Sequence, residues 1–186
     1  MENQQQMNTL NGVNVDALVE TVNAVTQNQD MGHFKFRAEN HWMDGGHNRS
    51  TILGFYGCGR EDQSRTEPFV LDADEPPVLL GQDAGANPVE YILHALAGCM
   101  TTSMVYHAAA RGVTVEAVDS DFEGDLDLSG FLGINEEVRK GYQAIRVCFR
   151  VKTTADISVL KECVEFSPVY EMIGSSVPVL VDITTY

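Results

Sequence analysis

Four cysteines are the side chains of this sequence best suited to chemistry, because a thiolate is a nucleophile that oxidises reversibly and also binds metals. None of them belongs to a CxxC pair or to a Cys/His spacing typical of structural zinc. Four cysteines in 186 residues are also too few for a disulfide scaffold. Each thiol, at Cys58, Cys99, Cys148 and Cys163, therefore has to be judged from its own surroundings. We expect no cofactor and no bound metal.

Cys99 lies in ALAGCM, within twenty residues (91–110) that carry no formal charge. A free cysteine is often a small buried apolar side chain, so both packing and catalysis are open interpretations. No histidine of the same helix can activate this thiol: His107 is eight residues on, about 12 Å along the axis, and His94 is on another face. An activating group, either a cation or a helix terminus, must come from elsewhere in the fold.

The other three thiols lie in different sequence contexts. Cys163 lies one helical turn before Ser167-Pro168, a pair typical of a helix N-cap followed by proline at the first position. Cys148 lies between Arg146 and Arg150 on a predicted strand. Activation of the thiol by the two positive charges and a simple solvated strand face explain this pattern equally well. Cys58 lies in a Gly-Cys-Gly turn.

Two metal-binding alternatives deserve less weight. His41, Asp44 and His47 in HWMDGGH are compatible with zinc, but a glycine turn with incidental histidines is the simpler interpretation. Alternating carboxylates at 119–127 suggest calcium, yet acids along a strand lack the turn that gathers ligands around one ion.

Helical spacing of Val15, Leu18, Val22 and Val25 predicts an amphipathic helix over 13–29. We interpret residues 1–30 as an N-terminal helical extension and residues 31–186 as a single domain. Within that domain the pattern predicts strands at 33–42 and 50–57, a short strand at 68–71, and a long irregular connection that follows it.

The clearest helix start is Asn87 as N-cap with Pro88 at the first position and Glu90 at the third, a capping-box pattern. This helix is predicted to run to Arg111-Gly112. Although it is long enough to span a bilayer, its scattered polar residues and the lack of a flanking basic cluster favour a buried helix of a globular protein.

After this helix, period-two alternation at 113–128 and 142–153 predicts a long antiparallel hairpin. Acids would line one strand and basic residues the other, facing each other across the sheet. A second helix from Asp156, interrupted at Ser167-Pro168, and a last strand in PVLVDITT complete the predicted α+β fold.

The composition excludes several classes of function. With 12 Lys+Arg against 27 Asp+Glu, the formal charge is −15 and the sequence pI is about 4.5. Such a chain repels phosphate backbones and anionic headgroups, so we expect no nucleic-acid partner and no membrane partner. With 44% hydrophobic residues it is expected to fold. The first residues lack the basic and apolar regions of a secretory signal, and we expect a cytoplasmic protein.

Three motifs in order, NPVEYILHALAGCM, GDLDLSGFLG and SPV followed by PVLV, resemble the OsmC/Ohr family of thiol-dependent peroxidases. The resemblance covers roughly residues 33–186. It implies an α+β fold in which antiparallel sheets wrap around a long Cys-bearing helix and two subunits intertwine as a homodimer. It also implies that the Cys99 thiolate attacks an organic hydroperoxide, becomes a sulfenic acid and is recycled by an external dithiol reductant.

The sequence departs from that family at two places. The resolving cysteine of the peroxidases precedes a proline, and Ser167 stands there instead; the resemblance leaves Cys163, or an external thiol, for this step. The family's acid that partners the activating arginine corresponds to Val89, with Glu90 next to it. Nine residues of a helix put Glu90 about 180° from Cys99, so capping is its more secure role. Arg49 matches the family's active-site arginine best.

We therefore predict an OsmC-like thiol peroxidase with Cys99, Cys163, Arg49 and Glu90 as candidate catalytic residues. The competing hypothesis is a non-catalytic dimer of the same fold that binds an apolar small molecule, with Cys99 as a packing residue.

Overall fold

The computed structural model describes residues 8–186. The chain divides into two compact units, one formed by residues up to Leu18 together with Leu93–Tyr186 and the other by Val19–Ile92. The predicted boundary at residue 30 falls within the second unit. The separate extension over 1–30 stays a prediction, and its residues 1–7 lie outside the described part of the chain.

The strands in chain order are β1 (Thr9–Leu10), β2 (Val13–Asn14), β3 (Glu39–Asp44), β4 (His47–Ile52), β5 (Phe55–Gly57), β6 (Arg60–Asp62), β7 (Phe69–Ala73), β8 (Ala117–Asp125), β9 (Ala144–Lys152) and β10 (Val179–Thr185). The α-helices are α1 (Val15–Gln27), α2 (Pro88–Ala110), α3 (Leu128–Phe131), α4 (Ile157–Glu165) and α5 (Pro168–Gly174). Two single 3₁₀ turns lie at Gln29–Gly32 and Pro77–Leu79.

The predicted charged hairpin is confirmed as the antiparallel pair β8–β9. Its register puts Asp119 opposite Arg150 and Glu123 opposite Arg146, so acidic and basic side chains do face each other. Arg146 bonds Glu123 and Asp125, and a second arginine of β9 bonds an acid of β8 in the same way. These exposed pairs favour the register modestly, as cross-strand pairs of opposite charge generally do.

The last strand is confirmed, and it pairs with β9 in parallel, with Val181 beside Val147. The sequence pattern predicts only antiparallel pairing, so the parallel neighbour is a correction. A parallel neighbour requires a long crossover connection, and α4 and α5 supply it between β9 and β10. The interruption predicted at Ser167-Pro168 is also confirmed, because α4 ends at Glu165 and α5 begins at Pro168.

The core of the first unit combines one stripe of α2 with one face of β9 and the inner side of α4. Leu96, Met100, Met104 and Ala108 recur every four residues along α2, which places them on one face of the helix. Alternate residues of β9 and three residues of α4 complete this buried set: Ile145, Val147, Phe149, Val151, Leu160, Cys163 and Val164.

The second unit contains an antiparallel sheet in the order β3–β4–β7 and a separate hairpin, β5–β6. The single strand predicted over 50–57 is wrong: it is divided between β4 and β5 at Leu53-Gly54, where a glycine without a side chain weakens strand pairing. The strand predicted from residue 33 begins only at Glu39. In place of a strand, Phe34 and Phe36 stack with Phe55.

Residues 19–92 bury no hydrophobic side chain, although many are large and apolar. Trp42 is 66% exposed and Phe69 58%, on the two outer strands of the sheet. An apolar surface of this extent on a sheet is typical of a face that another chain covers. Across residues 8–186, no helix combines the length and hydrophobicity needed to cross a bilayer.

Candidate functional site

The start of α2 is built as the sequence predicts. The Asn87 side chain accepts a hydrogen bond from the Val89 amide, and Glu90 Oε2 accepts one from the Asn87 amide. These reciprocal bonds satisfy backbone donors that a helix start otherwise leaves free. Glu90 therefore has a structural partner of its own, and its catalytic role stays a prediction.

Cys99 lies at the edge of the buried stripe of α2. It is half-buried, whereas Met100 beside it and Leu96 one turn earlier are fully buried. Thr102 and Tyr106 follow it by three and seven residues, and these spacings place them on the same side of the helix. The Cys99 side chain is therefore not one of the core-packing side chains of the described chain.

Cys163 differs from Cys99 in being fully buried, in α4. Burial raises the pKa of this thiol, with the Arg111 charge acting in the opposite direction. Because the thiolate is the reactive form, a buried thiol with a raised pKa is a poor nucleophile at neutral pH.

The surroundings of Cys163 also locate it along α2. The Phe166 ring stacks on His107 with centroids 4.1 Å apart, and the Arg111 guanidinium lies 5.5 Å from the same ring. Burial and the Arg111 charge lower the pKa of His107. Arg111 is twelve residues beyond Cys99, about 18 Å along a regular helix. Cys163 therefore lies toward the end of α2 that is remote from Cys99.

Ser167, which the resemblance predicts to correspond to the resolving cysteine of the peroxidases, is fully buried. Its Oγ accepts a hydrogen bond from the Tyr170 amide at 3.1 Å, which makes it the N-cap of α5. Pro168 follows at the first helical position, as the sequence predicts. Ser167 thus has a structural role that a cysteine would perform poorly.

Arg49 is held by a carboxylate that the sequence analysis did not identify. Its Nε and an Nη donate to the two oxygens of Asp72, at 2.9 and 3.0 Å, and His47 Nε2 lies 2.8 Å from the same carboxylate. Strand register explains the arrangement, because Arg49 on β4 is directly opposite Asp72 on β7. The hydrogen bonds from Arg49 and then His47 lower the pKa of Asp72.

The signal for Asp72 was present in the sequence but incomplete. An acid at the end of the strand predicted near 68–71 was visible, but its register against the arginine strand was not. His47 was noticed only as a zinc alternative with His41 and Asp44. In the structure it bonds Asp72, and no three His, Cys, Asp or Glu side chains of residues 8–186 are grouped to hold a metal ion.

Asp72→Asn is expected to change how stability depends on acid. The folded state lowers the Asp72 pKa, so the Arg49–Asp72 bond stabilises the protein above the carboxyl's ordinary pKa and ceases to do so as pH falls through the lowered value. The variant should melt a few degrees lower at pH 7, and the difference should shrink as pH falls below the ordinary range of a carboxyl group. Thermal unfolding followed by circular dichroism over a series of acidic pH values tests this; a difference that stays constant or grows with acidity would contradict it.

The connection between β7 and α2 is fixed by Asp74, which is 1% exposed. Its carboxylate accepts hydrogen bonds from the amides of Glu75, Gln82 and Ala84, and the bond from Ala84 contributes most to lowering its pKa. The Tyr91 hydroxyl donates to the Asp72 carbonyl at 2.7 Å. These bonds join the strand that carries Asp72 to the first turn of α2.

Cys58 and Cys148 lie where the sequence predicts, in a turn and on a charged strand face. Cys58 occupies the β5–β6 turn with φ of 50°, and it is exposed. Cys148 is exposed on the charged face of β9, opposite Asp121.

The OsmC-like protein family matches residues 81–182, more than half of the chain. Among solved structures, the chain is similar to an OsmC-like protein from Mycoplasma pneumoniae, with 16% identity, a TM-score of 0.61, and coverage of 81% of this chain and 96% of that one. An OsmC-like protein of unknown function from Vibrio cholerae is 13% identical, with a TM-score of 0.60 and coverage of 81% of this chain and 99% of that one. An organic hydroperoxide resistance protein from Legionella pneumophila is 17% identical, with a TM-score of 0.54 and coverage of 81% of this chain and 96% of that one.

No curated protein matches the chain in sequence. At these identities the solved structures establish the fold, which is the α+β architecture expected from the sequence, and the family match covers the helix of Cys99, the charged hairpin and the Ser167 region. The chain belongs to the OsmC-like family.

Proposed function

We propose that this protein reduces organic hydroperoxides through Cys99. The observation that carries the proposal is the contrast between two thiols: Cys99 is half-buried at the edge of the core, while Cys163 is fully buried with a raised pKa. A similar fold in a Legionella pneumophila protein named for organic hydroperoxide resistance gives further support.

The reaction needs only a thiol. The Cys99 thiolate attacks one oxygen of the O–O bond, that bond breaks, and the departing alkoxide takes a proton to become an alcohol. Sulfur loses two electrons and becomes a sulfenic acid, while the peroxide is reduced by the same two electrons. A thiol then condenses with the sulfenic acid, releasing water and leaving a disulfide, and a second thiol reduces that disulfide.

We assign resolution to an external dithiol in preference to Cys163. A disulfide requires Cα atoms roughly 4.4–6.8 Å apart. Cys163 interacts with Arg111, twelve residues beyond Cys99, and its burial disfavours the thiolate. A resolving role for Cys163 would need α4 to move.

Arg49 is proposed as the cation that stabilises the Cys99 thiolate, as the resemblance implies. Its support is chemical: the guanidinium is always charged, is 45% exposed, and is oriented by a bidentate carboxylate. In this proposal Asp72 takes the role of the acid that orients the arginine, and Glu90 serves α2 as a cap.

We also propose that the protein is a homodimer. The apolar side chains that residues 19–92 leave exposed on their sheet need a covering surface, and a second copy of a chain with an equally uncovered sheet supplies one. Sedimentation equilibrium tests this: the expected mass is twice 20.4 kDa, and a monomer at micromolar concentration would contradict it.

The test of function is mass spectrometry after one equivalent of cumene hydroperoxide with no reductant present. One oxygen should be added at Cys99, trapped with dimedone, while Cys163 remains a free thiol. Equimolar cumyl alcohol should appear by chromatography, because each sulfur oxidised requires one O–O bond broken. If Cys99 stays reduced, the proposal fails, and the non-catalytic binding dimer becomes the better description.

A further inference from the structure

The first described residues form a small hairpin that the sequence analysis did not identify. Strands β1 and β2 pair through Asn11-Gly12, whose φ angles of 54° and 77° are those of a type I′ turn. The Asn-Gly dipeptide is the strongest short-range signal for such a turn, so the hairpin was detectable from the sequence.

The Asn11 side chain fastens this hairpin to the segment that follows α2. Its Nδ2 donates to the Val113 carbonyl at 2.9 Å, and its Oδ1 accepts from the Val115 amide at 2.9 Å. Val13, on the second strand, is 7% exposed. The hairpin is therefore held in place by both hydrogen bonds and burial.

Between the hairpin and α2 lies a cleft of about 270 Å³. Its wall on the hairpin side contains Val13, and its helix side contains Thr102, Val105 and Tyr106. No charged side chain lines it. An uncharged surface with valine and tyrosine suits the hydrocarbon part of a ligand, with threonine hydroxyls available to a polar end.

The cleft begins one helical turn beyond the thiol that the proposed function uses. Thr102 is one turn after Cys99 and Tyr106 is two turns after it, on the same side of α2. A ligand in the cleft that extends one helical turn toward the start of α2 reaches the level of Cys99.

We propose that the hairpin β1–β2 and α2 together form a binding cleft for the apolar group of a bulky organic hydroperoxide, and that the hairpin determines the preference for such substrates. The inference rests on the proposed function and names its substrate class. Residues 8–14, which form the hairpin wall, lie outside the region 33–186 that resembles the family and outside the matched residues 81–182.

The volume indicates the size of group that fits. A cavity of roughly 150 Å³ holds one benzene. The cleft of about 270 Å³ therefore has room for an alkyl-aryl group such as cumyl, and a tert-butyl group would leave much of it empty. Specificity of this kind is modest, because each unfilled methylene changes discrimination by roughly tenfold or somewhat more.

Two variants test the wall by the ratio of kcat/KM for cumene hydroperoxide to that for tert-butyl hydroperoxide. Val105→Phe fills the cleft, and Asn11→Gly keeps the turn conformation while removing both side-chain bonds. We expect each to lower the ratio about tenfold. Val22→Phe, on α1 and outside the cleft, is the matched control and should leave the ratio unchanged. An unchanged ratio in both test variants would overturn the proposal.

A binding measurement separates this inference from the proposed function. Cumyl alcohol is titrated into the Cys99→Ser variant, and the methyl resonances of Val13 and Val105 are followed by NMR. Shifts at both valines support the cleft even if the wild type consumes no peroxide. A wild type that consumes no peroxide would contradict the proposed function alone. Turnover by the wild type without any shift at these valines would contradict the binding cleft and would still support the proposed function.

Discussion

Cys99→Ser is expected to lower the rate of cumene hydroperoxide consumption by roughly 1,000-fold or more in the presence of dithiothreitol. A serine hydroxyl stays protonated at neutral pH and is not oxidised by a peroxide, so the covalent step is lost. Losses of this order or greater are typical when a covalent nucleophile is removed. The half-buried position of Cys99 tolerates the nearly isosteric change, so folding should be retained.

The matched control for this experiment is Cys148→Ser, which removes an exposed thiol from the charged face of β9. Its rate should equal that of the wild type. Consumption is followed by a ferrous-xylenol orange assay, with circular dichroism to verify that both variants fold. A loss smaller than tenfold in Cys99→Ser, or an equal loss in the control, would show that peroxide reduction does not depend on Cys99.

Ser167→Cys is expected to give a protein that forms an intramolecular disulfide with Cys99 after one equivalent of peroxide, as the resemblance of Ser167 to the family's resolving position implies. Because Phe166, next to Ser167, stacks on His107 two turns beyond Cys99, this disulfide requires the start of α5 to move toward Cys99. The wild type should instead keep a sulfenic acid that only an added thiol removes. A thiol placed in the same chain acts at an effective concentration that reaches the millimolar range or above, so it competes well with dilute external thiol. The disulfide lowers the mass of the reduced protein by two hydrogens and is identified by peptide mapping.

The control for this substitution is Ser167→Ala, because both variants lose the hydroxyl that caps α5. Loss of such a cap costs about 1 kcal/mol, so both should melt at a lower temperature than the wild type. Only the cysteine variant should form the disulfide and resist overoxidation by excess peroxide. If peptide mapping finds Cys99 unpaired in Ser167→Cys, the correspondence between Ser167 and the family's resolving cysteine is wrong.

Local patterns predicted the elements that depend on nearby residues. The capping box at Asn87 and Glu90, the uncharged helix of Cys99, the N-cap at Ser167 and the facing charges of β8 and β9 were all readable. Caps and period-two alternation act within a few residues, so their signal is contained in a short segment. The strand over 50–57 was placed wrongly because a single internal glycine is a weak signal of a break.

Contacts between distant segments were not readable in the same way. Asp72 became the partner of Arg49 through the β4–β7 register, which joins residues 23 apart. Asn11 bonds segments more than 100 positions away. A carboxylate near an arginine in space gives no local periodicity, so the sequence pointed to Glu90, the acid closest to the matched motif.

The family, the α+β class and the choice of Cys99 as candidate nucleophile all follow from the sequence, because they depend on motif order, periodicity and a run of twenty uncharged residues. The way in which the candidate residues are held became visible only in the folded chain. Folding buried Cys163 and left Cys99 half-buried, gave Arg49 its carboxylate, and set the hairpin against α2. Burial and pairing depend on which segments pack together, and the reactivity of a thiol depends on its surroundings in space more than on its neighbours in sequence.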